Sequence, residues 1–355
     1  MFKIFGAPSR YVQGPGALDT LGEHIRMFGH SATLVIDSYV HGQYGERIAA
    51  ICAEQQVQLD VLLVQGDLTP ESIAALCEKA AHNGTEVIVA AGGGKSLDAG
   101  KGVAKSTGRP LITVPTVASN DAPTSKNYVL YDENHRLLAV EHMRLNPAAV
   151  VVDTSIIAAA PRHFFLAGIG DAISKKYEAE QCFASDGRNM YDGNSTLTAQ
   201  AIAQACLATL LADGEAALQA AGTGQPTPAF ERVVEAMILM SGLGFESGGL
   251  SIAHALTRGL PHLPGVATAL HGLQVAVGLL IQLDLEERND NSLANLYAWY
   301  TRMGLPTRLR DIGALPANDE QLQTAARLTL EARHAANFQR KLDTDSMVNV
   351  LQRFM

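Results

Sequence analysis

Apolar and polar positions give the chain two textures. Up to Asp153, short β-branched runs alternate with amphipathic stretches. TLVID (33–37), LDVLLV (59–64), EVIVAA (86–91), LITVPT (111–116) and AAVVVD (148–153) read as strands, and their near-continuous apolar character is that of strands covered on both faces. Between them, HGQYGERIAAICAEQ (41–55), TPESIAALCEKAAHNG (69–84) and the stretch from Gly92 to Ser106 carry helical periodicity. The second of these is fully punctuated, with Thr69 as N-cap, Pro70 at the first helical position and Gly84 at the end. Strand–helix alternation of this kind predicts a parallel sheet flanked by helices. NYVLYD and LLAVEH, within 127–142, predict a short hairpin turned at Glu133-Asn134.

Beyond Asp153 strand signals nearly vanish. PRHFF (161–165) opens a region where Ala, Leu, Gly, Glu and Gln recur at helical spacing to the end, broken by the turn-rich GTGQPTP (222–228) and PHLPGVATA (261–269). The expectation is a Rossmann-like α/β domain over 1–160 and an all-α domain over 161–355.

Composition removes several function classes. With 47% hydrophobic and 18% charged residues, the chain has ample core and no mark of disorder. A net charge of −9 and no Lys/Arg block disfavour nucleic acid as a partner. Its longest apolar runs break short of the ~20 residues that span a bilayer, so no membrane partner is expected. The start, MFKIFGAPSRYVQG, lacks the apolar segment of a secretory leader. Cys52, Cys77, Cys182 and Cys206 show no metal-knuckle or CxxC spacing and sit in apolar helical contexts, so they read as reduced core residues of a cytoplasmic protein.

Candidate chemistry lies in two places. Gly92-Gly93-Gly94-Lys95-Ser96 joins a strand to a helix, where close backbone approach and a helix N-terminus suit a pyrophosphate. It is neither a P-loop, which would need Gly in place of Val89, nor a GxGxxG turn, which would need Gly in place of Leu97. Asp37, at the end of the first strand, is an acid suited to ribose hydroxyls, although it precedes the glycine loop rather than following it; a helix N-cap is its plainer reading. In the helical half, Asp171, His254 and His271 each stand in a small, apolar stretch where a lone polar side chain is costly. Asp171 is expected at the start of a helix, His254 on the Gly-rich approach to another, and His271 at the beginning of the next. One carboxylate and two imidazoles make a three-ligand metal site with an open position, although hydrogen-bonded core histidines would look the same.

Taken together, GGGKSLDAGK (92–101), VPTVASNDAPTS (114–125), the 146–180 segment, GFESGGLSIAHAL (244–256) and HGLQVAVG (271–278) resemble the glycerol dehydrogenase branch of the iron-containing alcohol dehydrogenases. The resemblance implies a dinucleotide-binding domain, a helical domain and a cleft between them. It implies NAD-linked oxidation of a small polyol to a hydroxyketone, with Zn2+ (Fe2+ or Mn2+ as alternatives) held by Asp171, His254 and His271. It also puts Gly93, Gly94, Lys95 and Asp98 on a pyrophosphate loop, Asp37 on the ribose, and Asp121 beside the substrate hydroxyls. Thr116, Ser119, Ser125, Asn127, Val129 and Tyr131 fall on the segment lining the cofactor, and a homo-oligomer is expected. Three departures stand out: Lys175 lies where the iron-dependent branch has a fourth ligand, and Arg258 and Lys126 add positive charge that would suit an anionic substrate.

Overall fold

The computed structural model describes residues 2–132, 137–288 and 290–355. The chain divides into two compact units, one formed by Ala7–Arg162 with Ala220–Leu239, the other by Met1–Gly6, His163–Gln219 and Met240–Met355.

The first unit is built on a six-stranded sheet. Its strands are β1 (Tyr11–Gly14), β2 (Ser31–Asp37), β3 (Gln58–Val64), β4 (Val87–Gly92), β5 (Leu111–Pro115) and β8 (Ala149–Asp153), with a separate pair β6 (Asn127–Tyr131) and β7 (Leu137–His142). The spatial order is β1-β8-β5-β4-β2-β3 and every neighbouring pair is parallel. Neighbouring residues of each strand point to opposite faces, so Leu34 and Ile36 join one buried cluster while Val35 joins the other. Apolar residues on both faces are what made these strands readable as unbroken hydrophobic runs. β1 was not foreseen: YVQG is too short and polar to signal a strand, and it is recruited by backbone pairing with β8. The β6–β7 pair is antiparallel as expected, while its turn at Glu133-Asn134 lies outside the described residues.

The strand order has a functional consequence. From β2 the chain moves outward to β3, and from β4 it moves the opposite way to β5. The sheet's topological switch therefore lies between β2 and β4, and such folds bind ligands at the carboxyl ends of the two strands there. Those ends are Asp37 and Gly92.

The second unit is helical. Its helices include Arg162–Ala172, Lys175–Ala184, Leu197–Ala220, Ser241–Gly248, Ile252–Gly259 and His271–Glu286. Leu197–Ala220 is the one helix among the described residues long and apolar enough to cross a membrane, against the expectation that every apolar run breaks sooner. It carries Asp213 and Glu215 and buries a stripe of Ala199, Ala203, Cys206, Leu210 and Ala217 at spacings of four, three, four and seven, the signature of a helix packed on one side.

The units are not the contiguous 1–160 and 161–355 stretches the composition suggests, because hydrogen bonds carry two segments across. Asn189 donates to the Ile4 carbonyl (2.8 Å) and Gly6 N to Ser247 Oγ (3.1 Å), tying the N-terminus to the helical unit. Glu231 accepts from Gln13 and Thr154, and the Ala158 carbonyl from Gly222 N, tying 220–239 to the sheet unit.

Candidate active site

At the switch point the glycine loop is shaped by its backbone. Gly92 has φ +139°, and a Cβ there would lie 2.7 Å from Ser96 Oγ and 3.2 Å from Asp37 Oδ2, so only glycine fits. The helix Gly94–Thr107 starts at Gly93 with no side chain capping it, which leaves its N-terminal amides pointing into the switch region. Asp37 fills its plainer role too: Oδ1 caps the helix Ser38–Glu54 by accepting from Val40 N (2.9 Å). Its Oδ2 accepts from Ser96 Oγ (3.1 Å), so the acid is joined directly to the glycine loop. Lys95 pairs with Asp67 at 3.1 Å on the exposed side of that loop.

Asp98 and the segment 125–131 form one network, organised by a residue the sequence reading passed over. Lys101 is fully buried; its Nζ donates to the Asn127 carbonyl (2.6 Å), Asp98 Oδ1 (3.2 Å) and Ser125 Oγ (3.3 Å). Asp98 Oδ2 in turn accepts from Val129 N (3.1 Å). Burial raises the Asp98 pKa, against the pull of Lys101 and the Val129 amide. Tyr131 N donates to the Leu68 carbonyl and Thr116 N to the Gly92 carbonyl, so both ends of this wall are fixed to the unit's loops. A Lys three residues after an Asp in a small-residue helix was the available clue. Asp121 is buried in the loop after β5, its carbonyl accepting from Thr124 N and Oγ1. Ser119 and the half-buried Lys126 belong to the same loop.

In the helical unit Asp171, His254 and His271 come together: one ligand atom from each lies within 4.8 Å of the others. Asp171 Oδ1 is 3.2 Å from His254 Nε2 and 3.9 Å from His271 Nε2. Asp171 sits at the end of the helix Arg162–Ala172, not at a helix start as expected; the helical pattern runs back to Pro161, and a short break at Ile173-Ser174 follows the Asp. His254 lies in the first turn of Ile252–Gly259, and His271 opens His271–Glu286. The helices of Asp171 and His271 touch closely because both are glycine at the crossing. A Cβ on Gly272 would lie 1.9 Å from the Ala167 carbonyl oxygen, and one on Gly170 would lie 2.6 Å from the Gly272 carbonyl oxygen.

Two residues behind the trio were not foreseen in these roles. Glu178 is fully buried and faces His254 Nδ1 at 2.5 Å. Its oxygens also accept from Ser174 Oγ and from the Ser251 and His254 amides, each at 2.9 Å. Burial opposes its ionisation, but His254, Lys175 and these donors outweigh it and pull its pKa down to about 2. A carboxylate only accepts, so Nδ1 carries a proton, and in the neutral ring the lone pair of Nε2 accepts from the Lys175 ammonium. Lys175, also buried, places Nζ 2.7 Å from Asp171 Oδ1 and 2.9 Å from His254 Nε2. The spacings 171, 175 and 178 mark one helical stripe, which was the available signal. Burial works against the charge on Asp171 too, but Lys175 and the two imidazoles hold its carboxyl well below the ordinary range. His271 is 47% exposed, yet burial of its ring, with His254 and Lys175, lowers its pKa to about 4 against the pull of Asp171. Burial opposes a charge on His254, but the neighbouring Glu178 and Asp171 raise its pKa.

This donor set fits a divalent cation. It offers one carboxylate oxygen and two imidazole nitrogens, with an outer carboxylate fixing one ring, and a cationic nitrogen already stands against two of the three ligand atoms. Arg258, by contrast, is exposed on Ile252–Gly259.

Known proteins resemble the chain over most of its length. A family model described as iron-containing alcohol dehydrogenase matches residues 8–154. Glycerol dehydrogenase of Thermotoga maritima is 39% identical over 320 residues, covering 90% of this chain and 87% of the relative. A glycolaldehyde reductase of Halobacterium salinarum is 34% identical, covering 91% of this chain and 88% of the relative. The crystal structure of glycerol dehydrogenase from Schizosaccharomyces pombe superposes with a TM-score of 0.95 at 32% identity, covering 99% of this chain and 90% of that one.

Proposed function

The chain belongs to the iron-containing alcohol dehydrogenase family, and from that premise we propose that it is a metal- and NAD-dependent dehydrogenase of small neutral polyols, with glycerol and dihydroxyacetone as the first pair to test. The observation that carries the site is the convergence of Asp171, His254 and His271, three residues far apart in sequence, with Glu178 behind His254. In this reading those three residues hold the divalent cation. When bound, the cation supplies Lewis-acid polarisation of a hydroxyl and NAD supplies the hydride acceptor.

The chain's own residues supply placement and charge. Glu178 keeps His254 Nε2 unprotonated and aimed. The Gly170–Gly272 crossing sets how near His271 comes to Asp171. The Gly93 and Gly94 amides and Lys95 bind pyrophosphate at the helix N-terminus, and Asp37 accepts from ribose hydroxyls and repels a 2′-phosphate. Asp98, through Lys101, holds Ser125, Asn127 and Val129 in line beside the cofactor, with Thr116, Ser119 and Tyr131 completing that wall. Asp121 accepts a hydrogen bond from a substrate hydroxyl and passes the released proton to water. Three buried free cysteines suit a reducing cytoplasm.

The test is an initial-rate screen, following NADH at 340 nm, of glycerol, 1,2-propanediol, glycerol phosphate and 2-hydroxy acids with NAD and with NADP. Turnover of the neutral diols with NAD, abolished by a chelator and by His271→Ala, is expected. Turnover of the anionic substrates alone, lost in Arg258→Ala, would refute the neutral-polyol assignment.

A further inference from the structure

We propose that Lys175 competes with the metal for Asp171 and His254, so that an ion enters only when the ammonium leaves, and that this one residue sets the affinity and speed of metal loading. The inference rests on the assignment of Asp171, His254 and His271 as the metal ligands. Nζ stands 2.7 Å from Asp171 Oδ1 and 2.9 Å from His254 Nε2, two atoms themselves 3.2 Å apart. In the neutral ring, whose Nδ1 donates to Glu178, both are acceptors. Two acceptors held this close call for a shared cation, and in this chain a side chain provides one.

The two cations would stand close together. Ligand bonds of roughly 2.0–2.2 Å to the same two atoms would put a zinc ion within about 4 Å of Nζ from whichever side it enters. Lys175 and Asp171 are each 1% exposed, so water does not screen a doubly charged ion from the ammonium at that separation. Nor is Nζ loosely held, for it also lies 5.3 Å from the centre of the Phe245 ring. Loading must therefore break the contacts of the ammonium with Asp171 and His254 before the ion gains its ligands. His271 stands apart from this contact, with a half-exposed ring whose Nε2 lies 3.9 Å from Asp171 Oδ1.

The test uses Zn2+ alone with metal-free full-length protein, at one pH, in competition with a chelating dye. Lys175→Gln removes the charge at similar length and Lys175→Ala removes the side chain. Both are expected to bind Zn2+ at least tenfold more tightly than the wild type, and their metal-free forms to gain more in Tm on zinc addition, because Asp171 then lacks its partner. In stopped-flow loading, the wild-type rate should level off at high zinc, at the rate of Lys175 departure. Equal or weaker affinity in both variants would overturn the role of Lys175 while leaving the metal assignment intact; zinc binding by neither wild type nor variants would overturn both. Should the variants fail to fold, the wild-type rate decides: a plateau supports the competition, and strict proportionality to zinc refutes it.

Discussion

The crossing of the helices Arg162–Ala172 and His271–Glu286 makes Gly272→Ala a sharp test of the metal site. The added Cβ would lie 1.9 Å from the Ala167 carbonyl oxygen, 2.6 Å from its carbon and 3.2 Å from Asp171 Cβ. Two of those atoms are helical backbone and cannot rotate aside. Ordinary contact begins at 3.4 Å, so the helices must part by 3.4 − 1.9 = 1.5 Å. His271 Nε2 and Asp171 Oδ1 are 3.9 Å apart, and an equal displacement puts them at about 5.4 Å. Metal bonds of ~2.0–2.2 Å cannot bridge ligand atoms much more than ~4.2 Å apart. The variant therefore loses His271 as a ligand or pays to restore it; overpacking of this kind costs about 1–3 kcal/mol, and 1.4 kcal/mol is tenfold in affinity. Zinc content by mass spectrometry after dialysis against a zinc buffer, with turnover on the same sample, reads the outcome. Zinc affinity should drop at least tenfold. Gly42→Ala, where the Cβ meets nothing within 4 Å, is the control and should leave metal content unchanged. Wild-type zinc affinity and turnover in Gly272→Ala would show that the crossing does not set the ligand spacing.

Further substitutions separate roles that the geometry superimposes. Asp37→Asn keeps a good N-cap but removes the charge, so NADP use should rise at unchanged Tm, whereas Asp37→Ala should also lose about 1 kcal/mol of stability; undiminished rejection of NADP by both variants would exclude Asp37 as the discriminator. Lys101→Met leaves Asp98 without its cation in the interior and should cost ~3–5 kcal/mol, with weaker NAD binding by calorimetry; a stable variant with normal affinity would contradict the network. Burial pushes the Cys52 thiol up to about 11 and the Cys182 thiol up to about 12. Above the ordinary thiol range the unfolded chain sheds these protons while the folded chain keeps them, so stability should fall as pH rises past about 9, by about 1.4 kcal/mol per pH unit per thiol. Denaturant midpoints from pH 8 to 10.5 should decline and Cys182→Ala should flatten the decline; a rising or level curve would contradict the burial effect.

What the sequence made legible follows from range. β2, β4, β5 and β8 bury both faces and announce themselves as apolar runs, and the Thr69–Gly84 helix carries its own caps; Ser72, which completes the capping box, is a local detail the pattern allows but does not demand. β1 escaped notice because its pairing with β8 is decided more than a hundred residues away. The same limit applies to the site. The glycine loop and each member of the trio are visible one at a time, as polar residues in costly surroundings, but their closure to within 4.8 Å depends on helix crossings at Gly170 and Gly272 that no spacing reports. Asp37 is instructive because both of its readings hold at once: it caps a helix with one oxygen and meets the glycine loop with the other.

The two halves differ in what kind of residue fixes them. At the switch point the chain uses backbone, with Gly92 at positive φ and an uncapped helix start, and side chains such as Lys101 and Asp98 brace the wall from within. Around Asp171 it uses charge: Glu178 and Lys175 are buried ions that both face His254, an arrangement costly to maintain unless each ion is matched. Glu178 is matched by four hydrogen bonds, two of them from His254, none of which a metal at Nε2 would take. Lys175 faces Asp171 Oδ1 and His254 Nε2, the two atoms a metal would take in this reading. The effect of the buried lysine should therefore appear in how the ion arrives rather than in which residues hold it.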